Sequence, residues 1–591
     1  RLNIIDPDRM EIAVLAGRQR QEGATSTGGL QIRNGTVRLT GLMQKQQTSA
    51  IEANITGSLP DAITLLRNPR LHLLSLQKVE FHDLTGAIAT KLSIGLPLNE
   101  DVTIDSVSIQ TQTHMEGVHL SKWIAGSDID DGVFDLVAGN DGLKLKGDAR
   151  LAQIPARIGA DMDFRAGPPG QVLEHVTVEG RPTAQQLAQA GLVTGILPAG
   201  AVGLQAELIE RRGGEGELHV AADLTDAVLA VSDLGWTKPA GSPAHSLAQI
   251  GLLHDQLTRV EQISVDGDAL LLRGQADFAS GKLSTLRVSE LVLGRTRATG
   301  SIRFDPDHSA PIRATVNGPS LDLSGRLERT RHTDQYTGGP PWIIDARFDR
   351  TFMAHGVIAG GATVHAETEG SRMRRLHLAG RIGSAPFALD ISPNPAGRRV
   401  SAEAADAGRL LLGLSVIDRI EGGGLKVAAE FDDRQPTDPL AGTAELSDFR
   451  IRDAPGLVRV LQAISLYGLA EMASGTGLAV SRLIAPFRLE GDVLRLDNAR
   501  AFSPSLGFTA KGEINFKAQV TNLEGTIVPA YFFNSLLGKI PFVGKIFSPE
   551  KGGGLFAATY AVRGPLDNPQ VSVNPLAAVT PGVLRGIFGA F

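Results

Sequence analysis

The sequence has no cysteine, few aromatic residues and no excess of positive charge. Without cysteine, disulfide frameworks, thiolate zinc sites, iron–sulfur clusters and cysteine nucleophiles are excluded. Aromatic residues make up 5% of the 591 residues, so the apolar side chains are overwhelmingly aliphatic. The formal net charge of −6 gives no general attraction to nucleic acid, and no nucleic-acid partner is expected.

Long apolar runs are also missing. The longest uncharged stretch covers residues 182–206, but glutamines, glycines and Pro198 interrupt it, which indicates a helix and a turn and not a membrane span. The chain begins at Arg1 with a charged segment that lacks the apolar core of a signal peptide. We therefore expect a fragment or a processed product, with any membrane anchor upstream of this sequence.

Familiar catalytic and nucleotide-binding motifs do not occur in the sequence. A P-loop, a G-x-G-x-x-G after a strand, a G-x-S-x-G and an H-E-x-x-H are all missing. Ser548 and Lys551 match S-x-x-K only formally, and His114 and His119 have poor spacing for a metal. The acidic residues at 128–131 lack the features of an EF-hand, so a solvated turn is expected there. We predict no enzyme, no catalytic residue, no metal and no cofactor.

Most of the chain alternates apolar and polar residues with period two, which is typical of half-buried strands. Three stretches, 142–151, 269–278 and 507–516, carry a glycine in the middle of the apolar row. We predict that their apolar residues line a groove: Leu143, Leu145, Gly147, Ala149, Leu151, Leu270, Leu272, Gly274, Ala276, Phe278, Phe508, Ala510, Gly512, Ile514 and Phe516. The glycine indicates either a bend or a closely approaching strand, or room for a ligand chain, and these interpretations are compatible.

Short turns between the strand patterns indicate antiparallel pairing. Asp-Gly-Asp at 266–268 and Glu-Gly-Asp at 490–492 predict hairpins. Helical patterns occur at 183–192, 246–256, 455–474 and 530–537. The predicted fold is mainly β, an elongated, curled antiparallel sheet that forms an open hydrophobic groove, with few helices near the C-terminus.

Three segments are expected along the chain. Residues 1–165 form a β-groove segment, residues 166–400 form another with short helices, and residues 401–591 form a C-terminal region with apolar helices. The apolar stretches at 530–547 and 579–591 carry only isolated Lys or Arg, which suits a membrane interface, although a core-capping helix and a frayed tail explain the same pattern. The predicted membrane-proximal residues are Phe542, Val543, Ile546, Phe547, Leu584, Ile587 and Phe588.

The C-terminal region carries a set of short motifs that resembles a known family. The motifs are DAPGL (453–457), APFRL (485–489), VPAY (528–531), NSLLGKIP (534–541), GLFAATY (554–560), GPL (564–566), VNPL (573–576) and PGVLR (581–585). Weaker matches are DLTD (223–226), LGWTKPAG (234–241) and GLPL (95–98). With these motifs the chain resembles the C-terminal portion of the AsmA-like proteins of Gram-negative bacteria, in particular the YhdP-like branch.

The resemblance implies a bridge-like lipid-transfer protein. Such a protein conducts phospholipids through the hydrophobic groove of a long, curled β-sheet that spans the periplasm between the inner and outer membranes. It also implies an inner-membrane anchor in an upstream helix, a C-terminal end close to a membrane and envelope proteins as partners. No catalytic residue is implied.

The sequence is also compatible with two other functions. An envelope assembly factor would chaperone outer-membrane proteins through its sheet edge, and would bind unfolded barrel segments in place of lipid. A structural surface protein built as a β-solenoid would need a fixed short repeat and parallel coils. The irregular spacing of the glycine motif and the hairpin turns count against the solenoid.

Overall fold

The structure of the protein is a computed structural model. It describes residues 2–574, apart from 20–28, 68–81, 100–105, 125–126, 192–194, 255, 306, 308–309, 329–338, 371, 396, 453–476, 504–505, 530–557 and 567–568. The described residues form 34 β-strands and four short α-helices.

The strands and helices follow one another along the whole described chain. The first half contains β1 (Leu2–Asp6), β2 (Arg9–Gln19), β3 (Leu30–Thr40), β4 (Thr48–Ser58), α1 (Leu59–Leu66), β5 (His82–Pro97), β6 (Ser108–Ile124), β7 (Ser127–Gly139), β8 (Gly142–Leu151), β9 (Ile154–Asp163), β10 (Val172–Gly180), α2 (Ala184–Gln189), β11 (Ala199–Gly200), β12 (Gly203–Arg211), β13 (Glu215–Asp223), β14 (Ala227–Val231), β15 (Trp236–Lys238), β16 (Ala244–Leu253), β17 (Gln256–Gly267) and β18 (Leu270–Ala279). The second half contains β19 (Lys282–Leu293), β20 (Thr296–Arg303), β21 (Ile312–Asp322), α3 (Ser324–Glu328), β22 (Trp342–Phe352), β23 (Ile358–Glu369), β24 (Arg372–Ile382), β25 (Ala385–Asn394), β26 (Gly397–Ala404), α4 (Ala407–Gly413), β27 (Ile420–Phe431), β28 (Leu440–Ile451), β29 (Leu478–Glu490), β30 (Val493–Phe502), β31 (Leu506–Asn515), β32 (Val520–Pro529), β33 (Ala558–Pro565) and β34 (Gln570–Asn574).

One long, open sheet contains 31 of these strands, and the remaining β11, β14 and β15 form a small second sheet. The long sheet is antiparallel except for β21 and β22, which pair in parallel. A parallel neighbour needs a crossover connection, and α3 lies in that connection. The predicted mainly β, antiparallel fold is confirmed, and within the described sheet the pairing differs from the parallel coils of a β-solenoid.

The chain folds into two compact units. Unit 1 contains Arg1–Val231 and Thr237–Leu286, and unit 2 contains Ser232–Trp236 and Arg287–Phe591. In unit 1, α1 packs on the cluster around Met115 and Phe134.

In unit 2, α4 packs on the cluster around Leu478 and Ile527. The first turns of α1 and α4 are capped, because Ser58 accepts a hydrogen bond from the backbone N–H of Asp61 and Asp406 accepts one from that of Arg409.

Two of the strand glycines accommodate a neighbouring strand. A Cβ atom at Gly147 would collide with the carbonyl oxygen of Val133 and would lie 2.7 Å from Cδ1 of Phe134, its direct cross-strand neighbour. Gly512 has a φ of +131°, and a Cβ there would collide with the carbonyl oxygen of Asn522. The close approach of a strand, one of the interpretations left open by the sequence, accounts for both glycines.

Both predicted hairpins are present. Gly267 pairs with Leu270 at the turn between β17 and β18, and Glu490 pairs with Val493 at the turn between β29 and β30. In each case two residues connect the strands, which is the commonest hairpin length.

The predicted helices have different outcomes. The helix expected at 183–192 is α2. The helix expected at 246–256 is wrong, because residues 246–253 belong to β16 and Gln256 begins β17. Leu247 lies on the solvated side of β16 and is 53% exposed, so apolar residues on both sides of the strand imitate a helical pattern. The patterns at 455–474 and 530–537 lie outside the described residues.

We predict that Gly147→Ala destabilises the protein by about 1–3 kcal/mol, because the added methyl group has to displace the backbone of β7. Gly170→Ala is the matched control, since a Cβ at Gly170 meets no atom within 4 Å, and its effect should stay within about 0.5 kcal/mol. Urea denaturation followed by circular dichroism measures both. Equal unfolding midpoints for the two variants would contradict the close approach at Gly147.

Candidate functional site

The strand register shows which residues share a surface, because direct cross-strand neighbours point to the same side of a sheet. In unit 1 one row of such neighbours crosses nine strands from β7 to β18. It consists of Phe134, Gly147, Ile158, Val178, Ala206, Val220, Ala248, Ile263 and Gly274. Every member is apolar. We call this side of unit 1 apolar face 1.

The adjacent row on the same side is apolar as well. It consists of Leu136, Leu145, Ala160, Val176, Leu208, Leu218, Ile250, Val260 and Ala276. From β10 to β17 the members of both rows are half-buried, whereas a packed second layer would bury them. Within the described residues the second sheet has only three strands, too few to cover this face. From β10 to β17, apolar face 1 is therefore an accessible aliphatic surface in the described structure, whereas Phe134, Ile158, Gly274 and Ala276 at its two ends are buried.

Unit 2 has an apolar face of the same kind, apolar face 2. Its longest row crosses ten strands and consists of Gly300, Val316, Ala346, Val364, Leu378, Leu389, Ala402, Val427, Ala444 and Ala485. A second row consists of Gly442, Phe487, Leu496, Gly512, Leu523, Val562 and Val571. All residues of both rows are half-buried.

The structure places the predicted groove residues on these faces. The five residues of β8, Leu143, Leu145, Gly147, Ala149 and Leu151, share apolar face 1 with the five of β18, Leu270, Leu272, Gly274, Ala276 and Phe278. Phe508, Ala510, Gly512 and Ile514 of β31 lie on apolar face 2, and Phe516 follows the end of that strand. Four of these predicted groove residues are buried: Ala149, Leu270, Gly274 and Ala276. The predicted membrane-proximal residues, Phe542, Val543, Ile546, Phe547, Leu584, Ile587 and Phe588, lie outside the described residues.

The sequence-based prediction missed the strands between β8 and β18 as part of the same surface. Val178, Ala206 and Ala248 occupy the centre of apolar face 1, although no glycine motif marks their strands. The signal that could have identified them is plain alternation of apolar and polar residues.

The opposite side of the sheet is charged and solvated. In unit 2, Asp345, His365, His377 and Asp390 are successive cross-strand neighbours on this side. Nδ1 of His365 lies 2.7 Å from Asp345, and Nδ1 of His377 lies 2.6 Å from Asp390. The hydrogen bond to Asp345 is the main cause that raises the pKa of His365, and Glu367 adds to it.

The acidic residues at 128–131 lie within strand β7, so the solvated turn expected there is wrong. Asp130 makes short contacts on this strand, with Oδ1 2.6 Å from Nδ1 of His119 and Oδ2 2.7 Å from Nε2 of Gln153. These partners fix the carboxylate as part of the sheet.

Buried cations occur where connections between strands fold back. Nζ of Lys238 lies within hydrogen-bond distance of four carbonyl oxygens, including those of Leu224 and Ala227 at 2.9 Å, and burial lowers its pKa. Arg398 forms hydrogen bonds of 2.8–3.0 Å to Asp433 and stacks 4.2 Å from the ring centre of Phe431. Because these groups are fully partnered, their role is structural. Lys238 belongs to the weaker motif at 234–241, and its hydrogen bonds to the carbonyl oxygens of Leu224 and Thr225 connect it to the weaker motif at 223–226.

A cavity of about 340 Å³ opens on the charged side of unit 1. Its lining includes Thr177, Glu207, His219, Gln249 and Gln262. Ala221 and Leu247 also line the cavity, but the charged Glu207 among them does not suit an acyl chain. The apolar faces thus remain the surfaces that match the predicted groove.

In the described part of the chain, no three or more His, Asp or Glu side chains are grouped so as to hold a metal ion. None of the described helices has the length and apolar character needed to cross a membrane. Comparisons of the chain with models of known protein families, with curated proteins and with solved structures found no match.

We predict that Asp345→Asn lowers the pKa of His365 toward its ordinary value near 6.5. Because the pKa is raised in the folded state, this pair contributes stability below pH 6.5 and loses it as the pH rises through the folded-state pKa. The variant should therefore be less stable than the wild type at pH 5.5 and nearly equal at pH 8.5. NMR titration and urea midpoints at both pH values test this, with Asp349→Asn on the same strand as the control. A pH-independent difference would contradict the assignment.

Proposed function

We propose that the protein is a bridge-like lipid-transfer protein whose apolar faces carry the acyl chains of phospholipids between the inner and outer membranes of a Gram-negative envelope. The observation that carries the proposal is the half-buried aliphatic surface that crosses β10 to β17 in unit 1 and β20 to β29 in unit 2, opposite a charged side. Contiguous accessible apolar surface of this extent is typical of an interaction site.

The energetics of lipid movement match such a surface. Burial of one CH₂ group contributes about 0.8 kcal/mol, so two 16-carbon chains cost more than about 20 kcal/mol to expose to water. A continuous aliphatic path removes most of that cost at each step. The residues need only exclude water, so conduction along the face is passive and requires no catalytic group. Net direction has to come from outside this chain.

The composition of the faces also indicates that they bind many similar lipids and do not recognise one specific ligand. The longest row of apolar face 2 contains only Gly, Ala, Val and Leu. Such side chains offer van der Waals contact but no hydrogen bond, so they recognise hydrocarbon without selecting its position along the face.

The location and partners follow from the AsmA-like resemblance. On that basis the protein works in the periplasm, is anchored in the inner membrane through an upstream helix and contacts envelope proteins. Its C-terminal end is then close to a membrane.

A second candidate function has one observation in its favour. All five residues of β1 are exposed, including Ile4 at 69%, and β1 pairs with β2 in the described sheet. An exposed apolar edge strand can pair with another chain, as an assembly factor for outer-membrane proteins would require. Binding of an unfolded barrel segment in place of phospholipid would support this alternative.

We predict that Val220→Glu lowers the amount of co-purified phospholipid several-fold, because an unpaired charge has to be desolvated beneath the acyl chain. The matched control is Ala221→Glu, the next residue on β13, which is also half-buried but lies on the charged side. Native mass spectrometry after incubation with extracted lipids measures bound lipid, and circular dichroism verifies that both variants fold.

The same comparison applies to unit 2 with Ala444→Glu on apolar face 2 and Thr443→Glu on the opposite side of β28. Here too we expect lipid loss only for the first variant. Equal lipid binding by the two members of each pair, in folded protein, would remove the basis of the proposal.

A further inference from the structure

His365 on β23 faces two carboxylates on the charged side of unit 2. Its Nδ1 lies 2.7 Å from Oδ1 of Asp345, and its Nε2 lies 3.4 Å from Oε1 of Glu367. When Nδ1–H donates to Asp345, the Nε2 of a neutral imidazole carries a lone pair. In that tautomer Nε2 and Oε1 are two acceptors that face each other, and either a proton or a metal ion between them removes the repulsion.

A neighbouring side chain orients each of His365 and Glu367. Asp345 fixes the ring of His365, and Nε of Arg375 lies 3.6 Å from Oε2, the other oxygen of Glu367. The side chains of His365 and Glu367 are 38% and 28% exposed, so a dissolved ion can reach them. The pair is therefore oriented by neighbours and open to solvent.

The same arrangement recurs in unit 1. Nδ1 of His114 lies 2.8 Å from Asp135, its direct cross-strand neighbour, and Nε2 lies 3.3 Å from Oε1 of Glu116. As in unit 2, the glutamate follows the histidine by two residues on the same strand. Two independent strands thus carry the same set of Asp, His and Glu.

The distances match a metal ion better than a direct hydrogen bond. With Zn–N and Zn–O bonds of about 2.0–2.2 Å, two ligands of a tetrahedral ion lie about 3.3–3.5 Å apart. A carboxylate on the far ring nitrogen is also the usual support of a metal-binding histidine.

We propose that each pair, His365 with Glu367 and His114 with Glu116, binds a divalent transition-metal ion such as Zn²⁺ through Nε2 and Oε1, with water as the remaining ligands. Two protein ligands make these weak, exchangeable sites.

A proton is the competing cation at both positions. The neighbouring carboxylates raise the pKa of His365 and of His114, in each case first through the Asp hydrogen bond. Nε2 can hold a proton or a metal ion, but not both at once.

His175 supplies a matched control. Its Nε2 lies 2.7 Å from Oε1 of Glu207, the length of a direct hydrogen bond, which leaves no room for a metal ion. His175→Asn should therefore leave metal binding unchanged.

The experiment is calorimetric titration of the untagged full chain with ZnCl₂ at pH 7.5, repeated with Co²⁺, whose visible absorption reports its coordination. We expect His365→Asn to remove one bound ion, His114→Asn to remove another, and the double variant to lose at least tenfold in affinity at both positions. Circular dichroism establishes that each variant folds.

If the wild type binds no metal ion, or if the wild type and the double variant bind the same number of metal ions, the proposal is wrong. The group between Nε2 and Oε1 is then a proton. The result does not depend on lipid transfer, because Val220→Glu should bind the same number of metal ions as the wild type.

Discussion

The constraint on which the sheet depends is register, because a one-residue slip would turn an apolar row toward the charged side. Bulges maintain the faces where the sequence loses its strict alternation. Val260 and Ile263 are three residues apart on β17, yet both lie on apolar face 1, since the strand bulges between them. Leu496 and Ala499 on β30 behave in the same way, with Asn498 at a φ of +60° in the bulge. Asparagine tolerates this left-handed conformation better than most residues do. The bulges therefore preserve two chemically distinct sides over many strands.

The sequence was sufficient to predict the strands whose alternation is regular. The stretch 142–151 is β8, because Leu143, Leu145 and their neighbours occupy one side without interruption. Prediction failed at β16, where Leu247 lies on the solvated side and breaks the period of two. It also missed α1, although Ser58 and Asp61 form a recognisable helix start. These errors share a cause, since periodicity in a short window cannot distinguish an irregular strand from a short helix.

The candidate site was predictable within a strand but not between strands. Alternation alone assigned Leu145 and Leu272 to the apolar sides of their own strands. That these strands share one face depends on the register of every strand between them, including the bulge in β17, and one sequence does not contain that register explicitly. The role of the glycines was also beyond the sequence, because it depends on how closely β7 approaches Gly147.

The distribution of burial explains how such a surface is compatible with a stable fold. In unit 1 the buried residues Met115 and Ala156 belong to the cluster that α1 covers, whereas Val220 in the middle of the face is half-buried. In unit 2 the fully buried Leu478 likewise lies in the cluster beneath α4. Stability is therefore concentrated at the helix-covered clusters, where large-to-small changes cost the most. The ion pairs on the charged side contribute little stability but keep that side in water. The central rows can consequently remain uncovered without loss of the fold, and a charge placed there disturbs what the face contacts more than how the chain folds.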